Sequence, residues 1–178
     1  AQASFLSTWY AAGNDVVSEG MNHTDYSANP SLLSGDYDTA RGILDGLGLT
    51  RASKWFMYPV GGISAATIAT LDGKGVTAAR ASFHPQVVIS ELGNTDFTHI
   101  GSYGSDQKSS AQMIAYVDDV IRCGTGMMIF GHDFVTSATI STETTIASFD
   151  TFLDYVKTKR DAGLIDVITP QQFLDRYA

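Results

Sequence analysis

The chain has 178 residues, 44% hydrophobic and 17% charged, so it can bury one substantial core and is not a disordered chain. A formal net charge of −8, with no run of Lys or Arg, argues against nucleic acid and against an anionic membrane surface as partners. The single cysteine excludes an internal disulfide, and no apolar run reaches the roughly 18 to 20 residues of a membrane span. The length predicts a single domain over residues 1–178.

Short β-like runs alternate with helical patterns along the chain. In chain order, strands are predicted at 15–20, 54–57, 76–83, 86–90, 126–130 and 164–168. Helices are predicted between them at 35–49, 64–75, 105–124, 142–163 and 169–177. The helical spacing predicts one apolar face in each of two helices: Ala40, Ile43, Leu44 and Leu47 in 35–49, and Ile146, Phe149, Leu153 and Val156 in 142–163. Four of these helices have a sequence feature that supports the prediction. The first ends at Gly48 in a left-handed conformation, and the second begins at the cap Ser64. The third has an apolar face that includes Val117, and the last begins with a capping box of Thr169 and Gln172.

This alternation predicts an α/β fold built from βα units. Strands such as 127–130 are apolar on both faces, as parallel strands covered by helices are. About six strands fall short of a complete eight-stranded barrel, so a distorted or incomplete (β/α) barrel is expected.

Polar residues follow several of the predicted strands. His23 comes after the run 15–20, Tyr58 and Pro59 follow 54–57, Arg80 lies late in 76–83, and His132 follows 126–130. Because the carboxyl ends of parallel strands share one edge, these residues are expected to converge on one rim.

Two histidines on one rim can bind a divalent metal such as zinc, with carboxylate or amide oxygens completing the ligand set. The second histidine, His132, can instead act as a general acid. Either histidine can also be an ordinary polar residue at a strand end, and the spacing alone does not separate these roles. Tyr26 and Tyr58, placed in rim loops, are candidate sugar contacts.

The landmarks VVSEGMNHT, GDYDTARGILDGLGL, FMYPVGG, GKGVTAARA, MMIFGHD and IDVITPQQFLDRY, in this order, resemble the polysaccharide deacetylases of the NodB-homology class, carbohydrate esterase family 4. The resemblance runs from about residue 13 to the C-terminus. It implies a distorted (β/α) barrel, a zinc or similar metal ion, and removal of N- or O-acetyl groups from an acetylated polysaccharide outside the cell. By position, His23 matches the first metal histidine, His132 the catalytic acid, and Pro59 and Gly61 the loop that shapes the substrate groove.

The chain departs from the family pattern at three places. The strand with the Asp-Asp pair, which supplies the base and one metal ligand, is expected upstream of Ala1; the start without Met fits a processed or excised piece that a partner segment completes. The usual second metal histidine is replaced by Ser27, which leaves Asn29 or Asp25 as the candidate ligand. The groove arginine is replaced by Met57.

Three interpretations follow. The chain is part of an active deacetylase, or it is a degenerate domain that binds carbohydrate without catalysis, or it is a passive piece of an extracellular, cell-surface or virion assembly.

Overall fold

The computed structural model describes residues 2–81 and 100–177, without the side chains of residues 2 and 3. The described residues fall into two compact units: the first holds 2–81, 100 and 168–177, and the second holds 101–167. Each unit combines helices with short parallel strands, so the expected mixture of helix and strand is present. The distorted or incomplete barrel and the single domain stay predictions.

The elements follow one another in chain order. They are α1 (Gln2–Ala11), α2 (Pro30–Gly46), β1 (Trp55–Met57), a 3₁₀ turn (Pro59–Gly61), α3 (Ala65–Gly73), β2 (Ala78–Arg80), β3 (Tyr103–Gly104), α4 (Ser110–Cys123), β4 (Ile129–Phe130), β5 (Asp133–Val135), β6 (Glu143–Thr145), α5 (Ile146–Asp161) and α6 (Pro170–Tyr177). None of the helices in this part of the chain is long and apolar enough to span a bilayer.

The sheet of the first unit is parallel. β1 pairs with β2, and single bridges join Ser18 to Phe56 on one side and Arg80 to Ile100 on the other. The strand predicted at 15–20 is thus reduced to one bridge. All of these pairings are parallel, so the carboxyl ends of the four segments lie at one edge of the sheet.

The core of the first unit lies between this sheet and helices α2 and α3. Its cluster is aromatic and aliphatic: Tyr26, Leu33, Tyr37, Phe56, Tyr58, Leu71, Val76 and Ala79. Helix α2 is confirmed, but its predicted apolar face is partly wrong, since Ile43 and Leu47 are exposed. The helix begins at Pro30, and residues at i, i+4 and i+7 from Leu33 form the stripe that is buried instead.

A buried ion pair ties the ends of the first unit together. Arg51 donates from Nε to Oδ1 of Asp15 at 2.8 Å, and the Asp15 side chain is fully buried. Asp15 also accepts a hydrogen bond from the backbone N of Gln171 in α6 at 2.7 Å. The Arg51 guanidinium lies 3.5 Å from the centroid of the Tyr10 ring in α1. The Arg51–Asp15 pair therefore links α1, the segment before the sheet and α6.

The second unit contains two parallel strand pairs and the helices α4 and α5. β3 pairs with β4, and β5 pairs with β6. Met113 and Val117 of α4 pack with Phe152 of α5 to form the core. Ile146 and Leu153, predicted on the buried face of α5, are exposed, because Phe152 takes the central core position and turns the helix.

The predicted caps and the left-handed glycine at helix ends are confirmed, whereas the predicted buried faces of α2 and α5 are partly wrong. Ser64 caps α3, and Thr169 and Gln172 form the reciprocal hydrogen bonds of a capping box. Gly48 has φ +73°, the left-handed conformation predicted for it. The strand predicted at 164–168 does not form, and the strand predicted at 86–90 lies outside the described residues.

Candidate functional site

The carboxyl edge of the first unit's sheet brings together three charged or ionisable side chains. The Nε2 atom of His23 lies 3.7 Å from Oε1 of Glu19, and the same oxygen lies 3.5 Å from Nη2 of Arg80. The carboxylate therefore stands between two basic groups. Glu19 was not singled out from sequence; its position directly after the Ser18 bridge is the signal that could have found it.

His23 is presented to solvent on an unusual backbone. Its φ is +48°, a conformation that residues other than glycine rarely adopt, and its side chain is 61% exposed. An exposed imidazole beside a carboxylate can take up a proton or a metal ion. The first predicted metal ligand is thus accessible.

The other two candidate metal ligands are engaged elsewhere. Oδ1 of Asp25 accepts hydrogen bonds from the backbone N and the Oγ of Ser27, at 2.9 and 2.6 Å, and the hydrogen bond from the hydroxyl lowers the pKa of Asp25. A Cβ atom built on Gly62 would lie 2.1 Å from that oxygen, so the carboxylate is packed against the glycine loop. Asn29 is exposed at the start of α2, with its amide 3.5 Å from the carbonyl oxygen of Asp25.

These residues do not make a complete zinc site. Among the described residues, no group of three or more His, Cys, Asp or Glu side chains is placed to hold a metal ion. A guanidinium 3.5 Å from the Glu19 carboxylate also disfavours a second cation there. His23 therefore supplies one accessible ligand without a structured set around it.

The two tyrosines predicted to contact sugar lie in the core instead. Tyr26 and Tyr58 both have no exposed surface, because their rings pack around Phe56. The Tyr26 hydroxyl donates to Oδ2 of Asp36 at 2.9 Å, and burial raises its pKa. A Cβ atom on Gly20 would lie 2.2 Å from that hydroxyl, so Tyr26 fixes the loop that carries His23.

The predicted groove loop forms a tight turn at the same edge. Pro59 is buried and Gly61 has φ +73°, while Val60 between them is 59% exposed with φ +48°. Arg80 is mostly buried, which lowers its pKa, and its Nε lies 3.0 Å from Sδ of Met57. A guanidinium thus lies beside residue 57, where the family resemblance expects an arginine.

In the second unit, the ends of β3 and β4 bring an acid to His132. Nδ1 of His132 lies 2.7 Å from Oδ2 of Asp106, and the backbone N of His132 donates to Oδ1 at 3.2 Å. An ionised carboxylate only accepts hydrogen bonds, so Nδ1 carries a proton toward Asp106 and Nε2 is left for proton transfer. The His132 side chain is 54% exposed, whereas that of Asp106 is 16% exposed. This pair has the geometry of an oriented general acid or base.

The residues next to His132 and Asp106 in the chain are closely packed. The hydroxyls of Ser105 and Thr144 form a buried hydrogen bond of 3.1 Å. Ser105 directly precedes Asp106 in the chain. A Cβ atom on Gly131 would lie 2.3 Å from the Ser105 hydroxyl, so only glycine fits before His132. The Phe130 ring meets the imidazole edge to face, with centroids 5.8 Å apart. Packing on these sides fixes the direction of the imidazole.

The predicted site residues are therefore divided between the units, with His23 and Arg80 in the first and His132 in the second. Asp106 is not singled out by the sequence. The structure brings it to His132 because Asp106 follows β3 by two residues, and His132 follows the parallel partner strand β4 by two residues. Comparisons of the chain with protein-family models, with curated proteins and with solved structures found no match.

Proposed function

We propose that this chain is a hydrolase that removes acetyl groups from a polysaccharide, with His132 as the proton donor. The pairing of His132 with Asp106, 2.7 Å apart at the ends of two adjacent parallel strands, is the observation that supports this role most directly. The ordered family landmarks supply the substrate class. An extracellular location is part of the same proposal.

The reaction needs one water molecule and two proton movements. Water adds to the acetyl carbonyl carbon and gives up a proton to a base, a role that an Asp carboxylate fills in the family that the chain resembles. The C–N or C–O bond to the sugar then breaks, and Nε2 of His132 donates its proton to the leaving nitrogen or oxygen. Acetate and a free amine or hydroxyl are the products. Asp106 keeps the imidazole oriented through its hydrogen bond to Nδ1.

Zinc belongs to the proposal through the resemblance and His23, and no step is assigned to it, because the described residues do not complete its ligand set. Elemental analysis of the whole chain tests this part. A zinc ion bound by His23 predicts metal in the wild type and a large loss in the His23→Ala variant. Equal zinc content in both proteins would exclude His23 as a ligand.

Acetate release from N- and O-acetylated oligosaccharides tests the hydrolase. Replacing His132 by alanine is expected to lower kcat by about 10²- to 10⁴-fold, the usual contribution of general acid catalysis. Asp133→Asn is the matched control, since Asp133 is an exposed acid next to His132 whose side chain does not pair with it. A full-length protein that releases no acetate, or a His132→Ala variant of it that keeps full activity, would refute the proposal.

A second candidate function is carbohydrate binding without catalysis. The self-contained hydrogen bonding of Asp25 and Ser27, where the family places a metal ligand, favours it. Saturable binding of an acetylated oligosaccharide without acetate release would support this alternative over the hydrolase.

A further inference from the structure

We propose that Phe134 forms an apolar platform beside the His132–Asp106 pair and holds one sugar ring of the polysaccharide there. The proposal rests on the proposed function and adds a substrate-positioning residue to it. Phe134 lies at the centre of β5, two residues after His132, and its side chain is 43% exposed. An aromatic ring with this exposure, next to an exposed imidazole, is available to a ligand.

The ring lies close to the backbone that carries the pair. A Cβ atom built on Gly131 would lie 3.1 Å from Cζ of Phe134 and 2.3 Å from Oγ of Ser105. Gly131 directly precedes His132, and Ser105 directly precedes Asp106. The tip of the Phe134 ring is therefore adjacent to the residues that flank both members of the pair.

The ring is also held from behind. Its centroid lies 4.4 Å from that of Phe149 in α5, and its register partner in β6 is Thr144, the buried residue bonded to Ser105. A side chain fixed in this way loses little conformational freedom when a ligand binds. Because only part of the ring is covered by the protein, the remaining face can contact a ligand.

The chemistry of this surface selects a sugar ring. One face of a pyranose is lined by C–H groups and packs on an aromatic ring, while its hydroxyl and acetamido groups need polar partners beside it. Phe134 supplies the apolar face, and His132 with Asp106 supplies the polar groups. The formal charge of −8 disfavours an acidic polymer, so a neutral acetylated glycan is the occupant.

Steady-state kinetics on an acetylated tetrasaccharide and on the corresponding monosaccharide test the platform. Phe134→Leu keeps apolar bulk against Phe149 and removes the aromatic face. It is expected to raise KM for the tetrasaccharide about three- to tenfold, with kcat little changed, which is the scale of an aromatic contact. The effect on the monosaccharide should be smaller, and Phe134→Trp should retain the wild-type KM. Leu153→Ala is the matched control, since Leu153 is 45% exposed on α5 in the same unit.

An unchanged KM in Phe134→Leu, or an equal rise in Leu153→Ala, would overturn the platform. Calorimetric titration of the tetrasaccharide separates this outcome from failure of the hydrolase. Binding that depends on Phe134 in a chain that releases no acetate would support the platform and refute the hydrolase. Acetate release with a KM independent of Phe134 would do the reverse.

Discussion

Each unit places a histidine after a parallel pairing, which is the single bridge at Ser18 in the first unit and the strand pair β3–β4 in the second, with different results. In the first unit the His23 side chain is 61% exposed, and its Nε2 lies 3.7 Å from Oε1 of Glu19. Of the residues that follow, Asp25 accepts a hydrogen bond from Ser27, and Tyr26 is buried in the core. In the second unit His132 and Asp106 come from adjacent strand ends and lie 2.7 Å apart. A histidine at a strand end is thus held in one orientation where the neighbouring strand ends near a carboxylate that hydrogen-bonds to it.

If the polar groups of the first unit mainly stabilise its fold, removing the Arg51–Asp15 ion pair should lower the free energy of unfolding. Arg51→Ala leaves the Asp15 carboxylate fully buried without its guanidinium partner, and it also removes the contact with Tyr10. We expect the free energy of unfolding to fall by about 3–5 kcal/mol, the usual cost of an uncompensated buried charge. Urea unfolding followed by circular dichroism measures this change.

Arg122→Ala is the control for the ion pair. Arg122 also bonds an aspartate, Asp119, but both side chains are exposed and screened by solvent, so the free energy of unfolding is expected to change far less than in Arg51→Ala. Similar losses in the two variants would mean that burial of Asp15 contributes little. The contrast between a structural first unit and a chemical second unit would then be weakened.

The converse prediction concerns Asp106, which acts through His132 as a positioning residue. Asp106→Asn keeps the shape and removes the charge, so kcat for acetate release should fall by about 10- to 100-fold, as for other partners that orient a functional histidine. Unfolding stability should change by less than about 1 kcal/mol, since both side chains are partly in solvent.

The split between kcat and KM separates this role from a general packing defect. Asp106 hydrogen-bonds to the imidazole and is assigned no substrate contact, so KM should stay close to the wild-type value while kcat falls. Asp106→Glu, which keeps the charge, should restore part of kcat. A variant that raises KM as much as it lowers kcat, or that unfolds, would contradict the positioning role.

The ends of several helices could be predicted because their signals are local. The helix caps at Ser64 and Thr169 and the left-handed Gly48 depend on side chains within three or four residues. The buried faces of α2 and α5 were partly misread, because a helix face is chosen by what packs against it. Phe152 took the place predicted for Leu153 for this reason.

The candidate site was predictable only where one strand end could be read by itself. His132 was found because MMIF is an obvious strand, whereas Asp106 follows the two-residue strand β3, too short for a period to show. Tyr26 and Tyr58 were placed on the surface because loop residues usually lie there. Their burial comes from the aromatic cluster around Phe56, which unites residues far apart in sequence.

The smallest predicted effect tests whether the first unit's edge also has a chemical role. Val60 is a β-branched residue at φ +48°, a conformation that costs about 1–3 kcal/mol for such a side chain. Val60→Gly removes that strain and adds about 0.5–1 kcal/mol of unfolded-chain entropy, so a net stabilisation of about 1 kcal/mol is expected. Val167→Gly is the control: Val167 is equally exposed, at 59%, without a positive φ, and its variant should be destabilised.

Thermal unfolding of the two variants, together with acetate release, decides between two roles for the Val60 turn. If Val60→Gly is more stable and equally active, the strain is only a local consequence of fitting Pro59 and Gly61 into the turn. Since strained residues cluster at binding sites, a gain in stability with a rise in KM would mean that the turn contacts substrate. The first unit would then also contact substrate, and its role would not be structural alone.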